Sequence, residues 1–336
     1  MDNLINQVEN KINEDALLIV NRLKNNLEAL ILVGSFARGE GVAFQNNGEL
    51  VLLSDIEFLA VVKNIQKARQ KTSVLPLNDK LSLGFAIKKS LKRLKPYIFT
   101  VETKKFGKVI WGDPAILNLI PDYPYESIDP LDGFVLLNNR IVEQLILLKK
   151  IVDGETISQY YFEKGYVQLA NALLAVRKKY RSLYYEKEKE LINLANIDKE
   201  IVSKIRLAFG IINKKEFRNF TKDEAKASWH QLMEYTKEIC LKEKRNCLKK
   251  EGGILKEEIK EIGKIGGIVD SVKGWVKVIS VKCKRMQFSK KELFLNFLRN
   301  SPQSLIYQDA VALYFANKHD KNRLDQVITR WESVVK

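Results

Sequence analysis

The sequence predicts an α+β fold in which a small N-terminal sheet with flanking helices is followed by a mostly α-helical region. Three observations support this prediction. Apolar runs of strand length, such as residues 29–33, occur in the N-terminal part. A proline-punctuated stretch without periodicity follows at residues 121–130. Beyond it, apolar residues recur at helical spacing through most of the chain. A length of 336 residues with 46% hydrophobic content is enough for two domains or more.

The N-terminal region alternates between helix and strand patterns. Residues 4–23 place apolar side chains at helical spacing, and residues 29–33 form an apolar run of strand length that stops at a glycine. Residues 49–62 are rich in Val, Leu and Ile and predict a strand or a strand pair. Residues 81–94 return to helical spacing with a basic face. Residues 97–103 carry β-branched and aromatic side chains, which predicts another strand.

The rest of the chain is predicted to be helical, with domains at residues 1–127, 128–251 and 252–336. A glycine-rich run in residues 252–274 marks the break before the last of these. Helices are predicted over residues 131–152, 157–185, 199–212, 222–250 and 290–298, followed by two closing helices.

The net charge of +16 lies mainly in the C-terminal part. Residues 1–125 hold 17 Lys and Arg against 13 Asp and Glu, so they carry +4 and the remainder carries +12. Such a surface attracts nucleic acid, nucleotides or anionic membranes. Solvated lysine-rich helix faces explain it equally well.

Other features of the composition indicate a cytoplasmic protein that does not enter a membrane. No signal-peptide pattern opens the chain, and the apolar stretches are too short or too interrupted by charge to cross a bilayer. The sequence has three cysteines, no CxxC pair and two histidines. This composition argues against a disulfide framework and against a structural zinc site.

The most informative segment begins where the first predicted strand ends. Gly34 allows a close approach of backbone and ligand, and the backbone N–H groups of a turn that opens a helix can hold phosphate oxygens. Ser35 can donate a hydroxyl hydrogen bond, and Arg38 lies one helical turn later, where it can pair with a phosphate. Gly34, Ser35 and Arg38 are therefore candidate nucleotide-binding residues.

A pair of acids follows on the next apolar run. Asp55 and Glu57 are two residues apart on a predicted strand, so their carboxylates share one face while Ile56 and Phe58 point to the other. Two acids on one face repel each other unless a cation lies between them. Hard oxygen ligands suit Mg²⁺, which takes few protein ligands together with substrate phosphates. Two such ions can activate an attacking hydroxyl and stabilise a leaving pyrophosphate.

The Gly34-Ser35 turn followed by the Asp55–Glu57 strand resembles the nucleotidyltransferases of the DNA polymerase beta superfamily. The Asp-Ile-Glu form is most similar to the aminoglycoside (kanamycin-type) enzymes. This resemblance implies a third carboxylate on a later strand, which would be Glu102, so that Asp55, Glu57 and Glu102 are the predicted catalytic and metal-binding residues. The nineteen residues 36–54 are a longer spacer than usual, and residues 45–48 suggest an inserted hairpin or loop within it.

A second resemblance covers about half of the chain. Segments 107–114, 136–140 and 164–185 are similar to a group of uncharacterised predicted prokaryotic nucleotidyltransferases. The resemblance adds two candidate nucleotide contacts on helices, Arg140 and Lys164. A structural hydrogen bond for Arg140 and a solvated helix face for Lys164 are the alternatives.

Taken together, the residues and the resemblance imply transfer of a nucleoside monophosphate from a nucleoside triphosphate, expected to be ATP, to an acceptor hydroxyl. Residues 1–127 would then be the catalytic domain, and the helical bundle of residues 128–251 would line the cleft. A small-molecule acceptor is favoured because the basic residues recur around the helices without forming one stripe. An RNA end and a protein acceptor are alternatives, as is a binding module that has lost catalysis. Neither histidine has an arginine at the spacing of an Arg-x4–6-His ribonuclease motif, so a fused ribonuclease is not expected.

Overall fold

The computed structural model describes residues 2–46, 48–73, 80–248, 302–316 and 320–335. The chain forms two compact units. Of the described residues, the first unit contains those up to Asp129 together with residues 178–190 and 210–216, and the second unit contains the others. The elements up to residue 112 are α1 (Asp2–Leu23), β1 (Leu27–Val33), α2 (Gly34–Ala37), β2 (Ala43–Asn46), β3 (Glu49–Leu52), β4 (Ile56–Val62), α3 (Ile65–Thr72), β5 (Leu81–Ala86), α4 (Lys88–Leu91), α5 (Ile98–Phe106) and β6 (Lys108–Gly112).

A four-stranded mixed sheet forms the centre of the first unit, with the strand order β5-β4-β1-β6. Strand β1 is antiparallel to both β4 and β6, whereas β4 and β5 are parallel and are connected through α3. Strands β2 and β3 form a separate antiparallel hairpin between β1 and β4 in the chain. The end of β1 therefore lies beside the start of β4, since Val33 lies opposite Glu57 in the antiparallel register.

The alternation of side chains along β4 separates two apolar cores, one on each face of the sheet. Ile56 and Phe58 lie in the core that also contains residues of α1 and α3. Leu59 and Val61 lie in the opposite core, together with Leu91 of α4. Because side chains alternate along a strand, Glu57 points toward the face of the second core and away from Ile56 and Phe58.

Helices dominate the remainder of the chain, whose elements are α6 (Pro130–Asp153), β7 (Ile157–Ser158), α7 (Gln159–Val176), α8 (Tyr184–Ile192), α9 (Lys199–Lys214), β8 (Asn219–Phe220), α10 (Lys222–Leu248), α11 (Pro302–Tyr314) and α12 (Lys321–Val335). In the second unit, α6 packs along α7, and α10, α11 and α12 pack against this pair. The buried Trp229 of α10 donates its indole N–H to the carbonyl of Gln144, at 2.7 Å. None of the helices in the described part of the chain combines the length and apolar character that a membrane span needs.

Most of the predicted elements are confirmed. The first helix, the first strand and the strand pair of residues 49–62 are present, and the inserted hairpin is formed by β2 and β3. The predicted helices at residues 131–152, 199–212 and 222–250 correspond to α6, α9 and α10, and α11 and α12 are the two closing helices. The predicted helix 290–298, the glycine-rich run and most of the predicted third domain lie outside the described residues.

Three predictions are wrong. Residues 81–94 form strand β5 and the short helix α4, because residues 81–86 pair with β4 and their apolar side chains also fit an alternating pattern. Residues 97–103 belong mainly to helix α5, since β6 occupies the sheet edge beside β1. The predicted helix 157–185 is broken after Val176, and Lys178 adopts a left-handed conformation with φ of 57°.

Candidate active site

A tight turn connects β1 to α2 and is built around Gly34. This residue has φ of +70°, a conformation that side-chain-bearing residues rarely adopt. The N–H of Arg38 donates to the carbonyl of Gly34 at 3.3 Å, and the N–H of Glu40 donates to the carbonyl of Ser35 at 2.9 Å. These bonds fix the backbone of the Gly34-Ser35 turn. Since the turn opens α2, its first N–H groups have no acceptor within the helix.

The carboxylate of Glu57 lies directly against this turn. A methyl group added at Gly34 would lie 2.5 Å from Oε1 and 2.6 Å from the carboxyl carbon of Glu57. Such distances are far inside van der Waals contact, so any side chain at residue 34 would displace the carboxylate or the backbone. The glycine therefore has two functions here: it adopts the left-handed conformation and it leaves room for Glu57.

Asp55 directly precedes β4. Its side chain is 42% exposed, and Lys80 places its ammonium 3.5 Å from one carboxylate oxygen. The same ammonium donates to the carbonyl of Leu53 at 3.1 Å. Asp55 thus already lies next to a cation at the exposed start of the strand that carries Glu57.

The structure contradicts the predicted position of Glu102. This residue lies on helix α5 and not on a strand. One of its carboxylate oxygens contacts Nη1 of Arg38 at 2.5 Å, and the other accepts the hydroxyl of Tyr180 at 2.6 Å. Within the described residues, no three His, Cys, Asp or Glu side chains are grouped so as to hold a metal. The prediction of Glu102 as a third ligand beside Asp55 and Glu57 is therefore not supported, because its oxygens are used elsewhere.

Arg38, Glu40, Glu102, Tyr180 and Lys187 form what we call the buried ion cluster. Arg38 contacts Glu40 at 3.1 Å as well as Glu102, and the three side chains are only 11–14% exposed. Tyr180 is 2% exposed and Lys187 is fully buried. The ammonium of Lys187 lies 5.1 Å from the centre of the Tyr180 ring. The sequence prediction missed Glu40 and Lys187. Nothing in the alternating charges of residues 186–190 marks one lysine as buried.

The cluster shifts the pKa values of its members. Burial lowers the pKa of Lys187 to about 8, although Glu102 and Glu40 favour its charged form. Burial and then the charge of Glu102 raise the pKa of Tyr180 well above its ordinary value. Burial opposes the charge of Arg38, but the carboxylates outweigh it and the pKa of Arg38 is raised. Arg38 was predicted to pair with a phosphate; the partners that the structure gives to its side chain are Glu40 and Glu102.

The two remaining candidate residues belong to the second unit. Arg140 on α6 pairs with Glu143 one turn along the same helix. Lys164 on α7 lies 5.7 Å from the centre of the Tyr160 ring. Both residues are on helices, as predicted from the sequence, and their role toward a nucleotide stays a prediction.

Similarity to known proteins is found among solved structures. No protein-family model matches the sequence. No curated protein matches it either. Among solved structures, the chain is similar to spectinomycin adenyltransferase AAD(9) from Enterococcus faecialis, which was solved with ATP and spectinomycin. The TM-score is 0.38 and the sequence identity 17%, over 70% of this chain and 98% of that chain.

Proposed function

We propose that this chain is a Mg²⁺-dependent nucleotidyltransferase that moves a nucleoside monophosphate from a nucleoside triphosphate to an acceptor hydroxyl and releases pyrophosphate. ATP is the expected donor and a small molecule the expected acceptor. The observation that carries the proposal is the contact between Glu57 and the Gly34-Ser35 turn, with Asp55 two residues earlier. Glu57 thereby lies against backbone groups suited to phosphate, and Asp55 directly precedes the same strand.

The donor atoms at this site fit a magnesium ion. Asp55 and Glu57 offer carboxylate oxygens, and an ion bound to Asp55 would take the place of the Lys80 ammonium, which lies 3.5 Å from that carboxylate. Mg²⁺ usually takes one or two protein carboxylates and completes its coordination with waters and substrate phosphates. A site with two protein carboxylates is therefore sufficient for a nucleotide-bound ion. When bound, the ion would neutralise triphosphate charge and favour departure of pyrophosphate.

The residues of the turn would position the triphosphate. Backbone N–H groups at the start of α2 and the hydroxyl of Ser35 can donate hydrogen bonds to phosphate oxygens. In phosphoryl transfer, positioning and electrostatic stabilisation supply most of the rate. Arg140 and Lys164 are proposed as further nucleotide contacts. Arg38 is not assigned a direct phosphate contact, because two carboxylates already bind its guanidinium.

The ion pairs of the structure favour a small acceptor over RNA. Residues 177–181 form a basic segment, and its two arginines already pair with carboxylates. Arg177 makes a bidentate contact with Glu243, at 2.5 and 2.7 Å. Arg181 contacts both Glu126 and Glu190, at 3.0 and 2.8 Å. Cations held by neighbouring carboxylates are less available for phosphate backbones than the formal charge suggests.

The proposal is tested by replacing each carboxylate with its amide. Asp55→Asn and Glu57→Gln should each abolish Mg²⁺-dependent pyrophosphate release, because each removes one ligand charge. The assay would use ATP and a panel of amino sugars and nucleosides that includes spectinomycin. Glu49→Gln is the matched control, since Glu49 is exposed on the hairpin between the same two strands. Unchanged activity in either site variant, folded by circular dichroism, would show that the site is assigned wrongly.

A further inference from the structure

The buried ion cluster is attached to the Gly34-Ser35 turn through the backbone of its own members. Arg38 and Glu40 donate their N–H groups to the carbonyls of Gly34 and Ser35, at 3.3 and 2.9 Å. Their side chains contact each other and, through Arg38, the carboxylate of Glu102 on α5. The side chains of the cluster are therefore attached to the residues whose backbone closes the turn.

The cluster also ties a distant segment of the chain to the turn. The N–H of Tyr184 donates to Oε1 of Glu40 at 2.7 Å, and the hydroxyl of Tyr180 donates to Oε1 of Glu102 at 2.6 Å. Residues 178–190 belong to the first unit together with the turn. The turn is thus held from two sides, by helix α5 and by the segment that contains the start of α8.

Lys187 balances the charge of this cluster. Arg38 and Lys187 are cations, and Glu40 and Glu102 are anions, so the four charges cancel. The ammonium of Lys187 has no hydrogen-bond acceptor in the described part of the chain, and it lies over the rings of Tyr180 and Tyr184 at 5.1 and 5.4 Å. Burial of an ammonium without an acceptor is unfavourable by itself. Since Lys187 forms no specific ion pair among the described residues, we assign its contribution to the overall charge of the cluster.

We propose that Lys187 is a positioning residue whose positive charge neutralises the buried ion cluster and thereby keeps the Gly34-Ser35 turn competent to bind a triphosphate. This inference rests on the proposed function of the turn. Without the Lys187 charge, the cluster carries a net negative charge directly behind the backbone that must accept an anion. The excess negative charge disfavours the triphosphate and strengthens the competition of both carboxylates for Arg38.

The test compares three variants for binding of ATP with Mg²⁺ by isothermal titration calorimetry at pH 7. Lys187→Met, which keeps the apolar stem, should weaken binding roughly tenfold, the order of magnitude for one uncompensated charge near a polyanion. Lys187→Met combined with Glu102→Gln restores neutrality, because Arg38 then faces Glu40 alone. Its affinity should return to within about threefold of the wild type. Lys179→Met, at an exposed lysine, is the matched control and should leave binding unchanged.

The rescue separates charge balance from packing. If Lys187 merely fills space, the double variant should bind no better than Lys187→Met, which would overturn the inference. Equal affinity of Lys187→Met and the wild type would also overturn it while leaving the proposed function intact. Absence of ATP binding by the wild type would overturn both. If Lys187→Met fails to fold, Glu102→Gln alone can be compared with the double variant. Glu102→Gln carries an excess positive charge, so it should bind ATP at least as tightly as the double variant, and weaker binding would overturn the inference.

Discussion

The contact between Gly34 and Glu57 leads to a quantitative prediction for Gly34→Ala. Two separate costs are expected. The first is the left-handed conformation at φ of +70°, which costs a residue with a Cβ about 1–2 kcal/mol. The second is the overlap of the new methyl group with the carboxylate of Glu57, at 2.5 Å from Oε1. The overlapped atoms are the far end of the flexible Glu57 side chain, which can shift away from its rotamer at a cost of about 0.5–1.5 kcal/mol. The lower entropy of the unfolded alanine chain offsets about 0.4–1 kcal/mol.

Gly39, which follows the C-terminal end of α2, provides a matched control. It also has a positive φ, +77°, but a methyl group added there meets nothing within 4 Å. Gly39→Ala should therefore lose only the conformational cost, about 1 kcal/mol or less after the entropy offset. Gly34→Ala should lose about 2 kcal/mol, and the difference between the two variants isolates the contact with Glu57.

Urea unfolding of both variants at one pH measures these losses. A further comparison in a Glu57→Ala background removes the carboxylate, after which Gly34→Ala should cost no more than Gly39→Ala. In the transfer assay, displacement of Glu57 or the turn by about 1 Å should slow Gly34→Ala by about 10²-fold. Equal destabilisation by Gly34→Ala and Gly39→Ala would refute the inferred close contact.

Two further predictions concern other buried charges. The pKa of Lys187 is lowered from 10.5 to about 8, so the unfolded chain binds the proton more tightly than the folded chain and stability should rise with pH above 8. Urea unfolding should show a gain of about 2 kcal/mol in the free energy of unfolding between pH 8 and 9.5. The Lys187→Met variant should lack this gain. Arg177→Met leaves the 3% exposed carboxylate of Glu243 without its bidentate partner and should lose about 3 kcal/mol in urea unfolding. Arg218→Met, whose partner Glu224 is 39% exposed, should change stability by less than about 1 kcal/mol; a similar loss in both variants would contradict the role of burial.

The sequence predicts the core of the candidate site because its signals are local. An apolar run that stops at Gly34 and an alternating run around Asp55 and Glu57 each specify a strand and a side-chain direction without reference to the rest of the chain. The two runs become β1 and β4, and their antiparallel register places Val33 opposite Glu57. The close approach of Gly34 to Glu57 is a consequence of that register.

The remaining parts depend on tertiary contacts that short patterns do not encode. Residues 81–86 become a strand because β4 offers a pairing edge, and residues 98–106 become a helix although their β-branched side chains favour a strand. The second change moves Glu102 from a predicted sheet position to the buried ion cluster. The burial of Lys187 has no local signal, since its neighbours in sequence are charged and its surroundings come from residues about 80 and 150 positions away in the chain.

The most direct test of the candidate site is a crystal structure of the chain with a non-hydrolysable ATP analogue and Mn²⁺, whose anomalous signal locates the ion. We predict an ion bound to oxygens of both Asp55 and Glu57 at about 2.0–2.2 Å, with the triphosphate at the Gly34-Ser35 turn and Glu102 still paired with Arg38. A nucleotide bound elsewhere, or an ion that contacts neither Asp55 nor Glu57, would contradict the proposed site.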